Sequence, residues 1–183
     1  MIVKDINECD FVNYKKPSMF IAFPKCTFKC DRLNQCQCCQ NSELAKEPDI
    51  EITKEEICER YIDNPLTSAI VLGGLEPFDT ELDMLSFINC LRAKYHCDDD
   101  IVIYTGYTKE ELEEGWRDGY GCTSTEVNLW NSLKEYPNII VKYGRFLLND
   151  TPVFDPVLGI KLASHNQYAE VISNEFNENQ KES

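Results

Sequence analysis

Residues 18–41 read SMFIAFPKCTFKCDRLNQCQCCQN. They contain the two features that decide how the chain is organised, an apolar run and a cysteine-rich segment. The apolar stretch 18–24 is typical of a buried strand. It leads directly into a segment that holds five of the ten cysteines of the chain. These five are Cys26, Cys30, Cys36, Cys38 and Cys39. The stretch therefore predicts a strand whose carboxyl end runs into a cysteine-rich loop.

Helix-like and strand-like patterns alternate along the rest of the chain. Thr53 with Glu56 predicts a capping box that opens a helix through about Tyr61, and Thr108 with Glu111 predicts a second one. A further helix is predicted to begin at a cap on Asp79, with apolar positions at helical spacing through Leu91. Another helix is predicted over residues 129–136. Short apolar runs predict strands at 68–72, 101–104, 139–142 and 157–162. A loop is predicted around Gly119, Gly121 and Cys122.

This alternation predicts an α/β fold with βαβ units and a mainly parallel sheet. Ligands of such folds lie beyond the carboxyl ends of the strands. The cysteine loop and the segments 73–77 and 105–107 each follow a predicted strand, so we expect all three at one rim. One domain is expected over residues 1–173, and the polar residues 174–183 are expected to form a disordered tail.

Composition narrows the class of function. The formal net charge of −14 opposes binding to nucleic acid or to anionic lipid. Apolar runs are too short for a transmembrane helix, and the first residues lack a secretory signal, so we expect a cytoplasmic protein. In that reducing compartment, clustered cysteines indicate metal or redox chemistry rather than disulfides.

The cysteine spacing favours an iron–sulfur cluster. Cys26 and Cys30 lie four residues apart just after a strand, so both thiolates can point into one pocket. Cysteine thiolates are the ligands of cluster irons, and three of them on four irons leave one iron open. Two alternatives remain: a structural zinc site made of four of the five cysteines, and a redox dithiol at Cys36 and Cys39. Cys58 and Cys90 fit the buried faces of predicted helices instead.

Several segments together resemble one known family. Cys26-x3-Cys30, followed by Cys39-Gln40-Asn41, resembles the cysteine loop of the radical S-adenosylmethionine family. The segment 73–77, Gly-Gly-Leu-Glu-Pro, resembles its Gly-Gly-Glu-Pro motif. The segments 104–112, 144–146 and 164–167 are similar to the smallest members, the activating proteins of anaerobic (class III) ribonucleotide reductase. The matches run in order from about residue 18 to residue 168.

The chain departs from this family at three positions. Family spacing would place the third cysteine at Leu33, so the loop carries an insertion, and the third ligand is Cys36, Cys38 or Cys39. The Gln-Asn continuation favours Cys39. The residue before the third cysteine is often aromatic in the family, and here it is Cys38. Leu75 separates the two glycines from Glu76.

The resemblance implies a partial β/α barrel with a [4Fe–4S] cluster on Cys26, Cys30 and Cys39. It also implies residues that bind S-adenosylmethionine: Asn41, Gly73, Gly74, Glu76, Pro77, Thr105 and Gly106. The implied activity is reductive cleavage of that cofactor to a 5′-deoxyadenosyl radical, with no side chain as acid or base. The implied partners are a glycyl-radical protein, the anaerobic ribonucleotide reductase, and an electron donor such as flavodoxin or ferredoxin. Two other functions stay open: a radical enzyme acting on a small molecule, and a non-catalytic zinc or cluster module.

Overall fold

The computed structural model describes residues 1–114 and 124–173. The predicted loop around Gly119, Gly121 and Cys122 and the predicted tail over 174–183 lie outside the described residues. The strands are β1 Ile2–Val3, β2 Asp5–Asp10, β3 Ser18–Phe23, β4 Ile50–Glu51, β5 Ala69–Gly74, β6 Asp100–Tyr104, β7 Ile139–Tyr143, β8 Val153–Asp155, β9 Ile160–Leu162 and β10 Tyr168–Val171. The helices are α1 Lys29–Asn34, α2 Lys54–Ile62, α3 Glu81–Asn89, α4 Lys109–Glu114 and α5 Ser124–Glu135.

Six strands form one mixed sheet in the order β10-β7-β6-β5-β3-β2. The four inner strands β3, β5, β6 and β7 are parallel, and the outer strands β2 and β10 pair antiparallel with their neighbours. The strands predicted at 18–24, 68–72, 101–104 and 139–142 are these four inner strands, so those predictions are confirmed. Two short ribbons, β1 with β4 and β8 with β9, complete the described strands. The partial β/α barrel stays a prediction.

The strand predicted at 157–162 is only partly correct. Its last residues form β9, whereas 156–159 make a tight turn that connects β8 to β9. Asp155 closes this turn, because its carboxylate accepts the Leu158 N–H at 2.8 Å and its carbonyl accepts the Gly159 N–H at 2.8 Å. Gly159 has φ of +73°, which suits glycine. The turn residues therefore interrupt the apolar run.

Both predicted helix starts are confirmed, and the complete capping box forms at α4. The Thr53 hydroxyl accepts the Glu56 N–H at 3.1 Å at the start of α2. At α4 the exchange is reciprocal: the Thr108 hydroxyl accepts the Glu111 N–H at 3.2 Å, and the Glu111 carboxylate accepts the Thr108 N–H at 2.8 Å. The predicted Asp79 cap is wrong, because a 3-10 turn over Pro77–Thr80 precedes α3.

The two faces of the sheet are covered differently. Side chains of α2, α3 and α5 pack with alternate residues of the inner strands, such as Ile70 and Leu72, in the larger core cluster. The intervening residues, such as Val71 and Val102, face a smaller cluster that contains Leu158 and, among the described residues, no member of a helix. This alternation follows from the two-residue period of a strand. No helix in the described part of the chain is long and apolar enough to cross a membrane.

Candidate metal centre

A cavity of about 390 Å³ lies where the inner strands end. Its volume falls within the roughly 300–1,000 Å³ that small-molecule sites occupy. Eight of the predicted site residues line this cavity: Cys26, Cys30, Cys39, Asn41, Gly74, Glu76, Thr105 and Gly106. The structure therefore brings the cysteine loop and the segments after β5 and β6 together, as the α/β pattern predicts. Gly73 and Pro77 are not among the described residues that line it.

Three of the five loop cysteines open onto this cavity. They are Cys26, Cys30 and Cys39, whereas Cys36 and Cys38 are not among its lining residues. The Cys26 sulfur accepts the Phe28 N–H at 3.2 Å, which orients that thiol at the end of β3. All three are free cysteines, without a disulfide partner in the described part of the chain.

Asp31 determines how the inserted residues fold. The insertion forms α1, where Leu33 is 54% exposed, so the position that family spacing gives to a third cysteine faces solvent. After α1, one carboxylate oxygen of Asp31 accepts the N–H of Cys38 at 2.9 Å and that of Cys39 at 2.8 Å. These two hydrogen bonds turn the chain back. They explain why the third cavity thiol lies nine residues after Cys30.

Burial opposes ionisation of Cys26 and Cys39. The pKa of Cys26 is raised to about 12, mainly by burial and in smaller part by the nearby Glu76, Asp79 and Cys39, while the hydrogen bond from the Phe28 N–H lowers it in part. The Cys39 pKa is also raised, first by burial and then by the proximity of Cys30. Because metal ligands must be thiolates, iron binding here releases protons.

Glu76 forms a buried wall of the same cavity. Glu76 is 6% exposed, so its carboxylate is largely removed from solvent. Its two oxygens accept the Gly106 N–H at 2.8 Å and the Phe78 N–H at 3.3 Å. Burial raises the Glu76 pKa to about 7, although these hydrogen bonds and the Thr105 side chain lower it in part. The site therefore holds a carboxylate whose charge state depends on what fills the cavity.

The glycines of 73–77 serve different purposes. Gly74 has φ of +78°, and a Cβ there would lie 2.8 Å from the Cβ of Ala22, so backbone conformation and space both require glycine. The Asn41 side-chain amide donates to the Gly74 carbonyl, which ties the end of the cysteine loop to β5. Gly73 instead lies within the sheet, where a Cβ would lie 3.2 Å from the Phe20 ring. Gly73 thus permits strand packing.

Asp79 ties the cysteine loop to the segment after β6. Its carboxylate accepts the Thr27 N–H at 2.9 Å and the Tyr107 hydroxyl at 2.8 Å. These residues also line a second cavity of about 610 Å³, which shares Cys26 with the first. The Lys29 ammonium lies 4.4 Å from the centre of the Tyr107 ring in the same region. Asp79, which was predicted to cap a helix, therefore holds two segments of the site together.

A family model described as a 4Fe-4S single cluster domain matches residues 18–135, which is more than half of the chain. The chain belongs to this family. No curated protein and no solved structure matches it. The prediction of an iron–sulfur protein with a [4Fe–4S] cluster-binding domain is confirmed. The matched residues include every cysteine that lines the cavity.

The cavity thiols fit the cluster that characterises the 4Fe-4S single cluster domain family. Thiolates are the usual ligands of such clusters, and Cys26, Cys30 and Cys39 are the residues that would hold it. Among residues 1–114 and 124–173, no three His, Cys, Asp or Glu side chains converge closely enough to hold a single metal ion. The three thiols surround a shared space instead.

Part of the cavity wall lies beyond the matched 4Fe-4S domain. The segments 144–146 and 164–167 meet there through hydrogen bonds: Asn166 donates to the Arg145 carbonyl at 2.9 Å, and Gln167 donates to the Gly144 carbonyl at 3.2 Å. Asn34 of α1 reaches the same wall, because its amide donates to the Cys30 carbonyl at 2.8 Å and to the Phe146 carbonyl at 2.9 Å. The C-terminal segments thus complete the site.

Lys142 is the cavity residue that sequence patterns missed. It is 6% exposed near the end of β7 and lines the cavity. Burial lowers its pKa to about 8, while Glu76 and Cys30 raise it in part. The available signal was a lysine inside the otherwise apolar strand sequence IIVKY, just before the rim of the sheet.

Proposed function

We propose that this 4Fe-4S single cluster protein is a radical S-adenosylmethionine enzyme that generates a glycyl radical on an anaerobic ribonucleotide reductase. One observation carries the proposal: three thiols, and not four or five, share a cavity with the buried Glu76 carboxylate. Three thiolates on a four-iron cluster leave one iron free for a ligand. The remaining cavity space then belongs to that ligand.

The walls of the cavity suit the amino acid end of S-adenosylmethionine. The Glu76 carboxylate accepts two backbone N–H groups and the Thr105 side chain, and because a carboxylate has about four lone-pair sites, one is left to accept a ligand ammonium. Gly74 and Gly106 line the cavity without side chains, which lets the ligand approach the backbone. Thr105 is buried at the same rim. These residues bind and orient the ligand, and none is asked to transfer a proton.

The cofactor carries the bond-breaking chemistry. Cys26, Cys30 and Cys39 would hold the cluster, and a cluster bound there would supply one electron, received from a donor such as flavodoxin or ferredoxin, for reductive cleavage of S-adenosylmethionine to methionine and a 5′-deoxyadenosyl radical. That radical would take a hydrogen atom from a glycine of the partner and so become 5′-deoxyadenosine. The residues that line the cavity would hold the ligand and shield it from water. The buried side chains of Glu76 and Thr105 at the rim supply that enclosure.

The decisive experiment is anaerobic reconstitution with iron and sulfide, followed by dithionite and S-adenosylmethionine. We expect about four irons and four sulfides per chain, and 5′-deoxyadenosine and methionine in equal amounts. Cys30→Ala should lose the cluster and the products. Cys58→Ala is the matched control, because Cys58 is fully buried away from the cavity and should retain both. The glycyl radical is then sought by EPR after a candidate reductase is added.

Other outcomes separate the remaining functions. A protein that holds the cluster but forms no 5′-deoxyadenosine is a non-catalytic cluster module. A colourless protein that binds zinc instead overturns the enzyme proposal altogether. Product formation without a radical on any glycyl-radical protein indicates a small-molecule substrate. Iron retained in the Cys30→Ala variant would contradict the ligand assignment.

A further inference from the structure

The second cavity, of about 610 Å³, borders the cluster cavity. Cys26 and Leu75 line both of them, so the Cys26 thiol stands between the two spaces. Glu76 and Gly106, which belong to the proposed ligand site, are not among the described residues that line the second cavity. The second cavity therefore gives access to a cluster ligand without passing through the space assigned to S-adenosylmethionine.

Basic side chains surround the second cavity, although the chain as a whole carries a net charge of −14. Lys25 and Lys29 line it, and Lys25 is exposed. The exposed Arg32 is held at its edge, because the Arg32 guanidinium donates to the carbonyl of the lining residue Thr27 at 3.3 Å. Lys25, Lys29 and Arg32 form a basic patch, which makes this surface locally positive on an acidic protein.

The acids beside the basic patch are engaged inside the protein. The Asp79 carboxylate, which also lines the cavity, accepts the Thr27 N–H and the Tyr107 hydroxyl. The Asp31 carboxylate accepts two N–H groups of the cysteine loop. The Lys29 ammonium is held 4.4 Å from the centre of the Tyr107 ring. Positive charge therefore stands at the mouth of the cavity.

Phe28 adds an apolar surface to the charged rim. Its φ of +50° is uncommon for a bulky residue, and such strain persists where it serves a site. In this conformation the Phe28 N–H donates to the Cys26 sulfur at 3.2 Å, and the half-buried side chain lines the second cavity with Phe78 and Tyr107. Aromatic residues at the centre and charges around them are typical of a protein–protein interface.

We propose that the basic patch and the second cavity form the docking surface for an acidic electron-transfer protein that reduces the cluster. Complementary charge steers such a partner to this surface. Cys26 holds the cluster close to the docked partner, and electron tunnelling rates fall exponentially with distance. The partner is oxidised by one electron and the cluster is reduced by one, and no bond forms or breaks. This inference rests on the proposed function, in which another protein supplies the electron.

The test uses the reconstituted protein and an acidic flavodoxin as the probe. Titration calorimetry gives the dissociation constant for oxidised flavodoxin, and stopped-flow bleaching of the cluster absorbance gives the rate of reduction by reduced flavodoxin. At low ionic strength, Lys25→Glu should weaken binding and slow reduction by roughly 10-fold. Both effects should shrink as added salt screens the charges.

Two controls separate docking from general effects of charge. Lys94→Glu makes the same charge change at an exposed lysine shortly before β6 begins, and thus at the end of the sheet opposite the cluster site. It should alter neither quantity by more than about 2-fold. Photoreduced deazariboflavin is a small, uncharged reductant that needs no docking surface, so it should reduce the cluster of Lys25→Glu as fast as that of wild type. Lys25→Gln should show a smaller loss than Lys25→Glu and replaces it if that variant assembles no cluster.

Several outcomes would overturn the proposal. Unchanged flavodoxin binding by the Lys25 variants, or no binding by wild type, rejects the docking surface. Slower reduction by deazariboflavin as well would mean that Lys25 supports the cluster and not docking. Loss of inorganic pyrophosphate binding in Lys25→Glu, with flavodoxin binding unchanged, would assign the cavity to a small phosphate ligand.

Failure of the proposed function is recognised separately. 5′-Deoxyadenosine is assayed in wild type with deazariboflavin as the reductant, so that no donor protein is required. Its absence would contradict the proposed function, whereas reduction by flavodoxin that depends on Lys25 would still support the docking surface.

Discussion

The helix-covered face of the sheet and the rim where the inner strands end are both buried, but their side chains differ. The helix-covered face consists of Ile, Leu, Phe and similar residues whose burial contributes about 25 cal/mol per Å². The rim buries Glu76, Lys142 and Thr105, whose desolvation is unfavourable. Packing alone explains the first region. Packing does not explain the second, and we propose that a ligand pairs with its polar groups.

The cysteines are also divided between the rim and the helix-covered face. Cys26, Cys30 and Cys39 line the cavity, whereas Cys58 and Cys90 pack in the core cluster on the helix-covered face. In that core, burial raises the pKa of the Cys58 thiol, and the adjacent Cys90 raises it further. Such a thiol stays neutral and inert. The role of a cysteine in this chain therefore follows from its region.

The largest effect that tests this division is loss of the cluster. Cys39→Ala should abolish cluster assembly because it removes one of three cavity thiols, whereas Cys36→Ala should leave it intact because that exposed thiol is outside the cavity. The two variants make the same substitution three residues apart. Iron and sulfide per chain and the visible absorbance of the cluster measure the result. A reversed pattern would identify Cys36 as the third ligand.

The next effect concerns the charge buried at the rim. Glu76→Gln should change how stability of the reduced, metal-free protein depends on pH. The Glu76 pKa rises from 4.5 to about 7 on folding, so between these values the folded chain binds a proton that the unfolded chain has released. Its contribution to stability is full below pH 4.5 and is lost as pH rises through 7. As pH rises from 4.5 to 7, the free energy of unfolding of the variant should therefore increase relative to that of wild type by about 3 kcal/mol.

Urea unfolding at pH 4.5, 6 and 8 measures this difference. Glu43→Gln is the matched control, because the Glu43 side chain is 80% exposed. The difference in free energy of unfolding between this variant and wild type should not change over the same pH range. A flat difference for Glu76→Gln as well would mean that the carboxylate is solvated in the metal-free protein.

The division also explains what the sequence could predict. The inner strands and both helix starts were predictable because β-branched runs and Thr-x-x-Glu patterns act locally. The edge strands β2 and β10, with sequences DINECD and YAEV, were not, because pairing with a neighbour rather than side-chain pattern places them in the sheet.

At the site, local pattern placed the cysteine loop at the end of a strand but left three choices for the third ligand. The hydrogen bonds that the Asp31 carboxylate accepts from the Cys38 and Cys39 N–H groups, which bring Cys39 to the cavity, depend on the folded shape of the insertion. Lys142 was missed because a single lysine in an apolar strand sequence is a weak signal, which does not show that the side chain is buried at a cavity. Such tertiary contacts are what the sequence alone does not show.

The smallest effect belongs to the helix-covered face. Cys58→Ala should lower the free energy of unfolding by about 1 kcal/mol, because it removes one buried atom from a packed core and breaks no charge pair. Chemical denaturation of the reduced, metal-free protein measures this, and an unchanged m-value would show that compactness is preserved. Cys9→Ala, at a half-buried thiol of β2, should change stability by less than about 0.5 kcal/mol. Since neither thiol reaches the cavity, both variants should assemble a full cluster, and cluster loss in Cys58→Ala would show that the two regions are coupled.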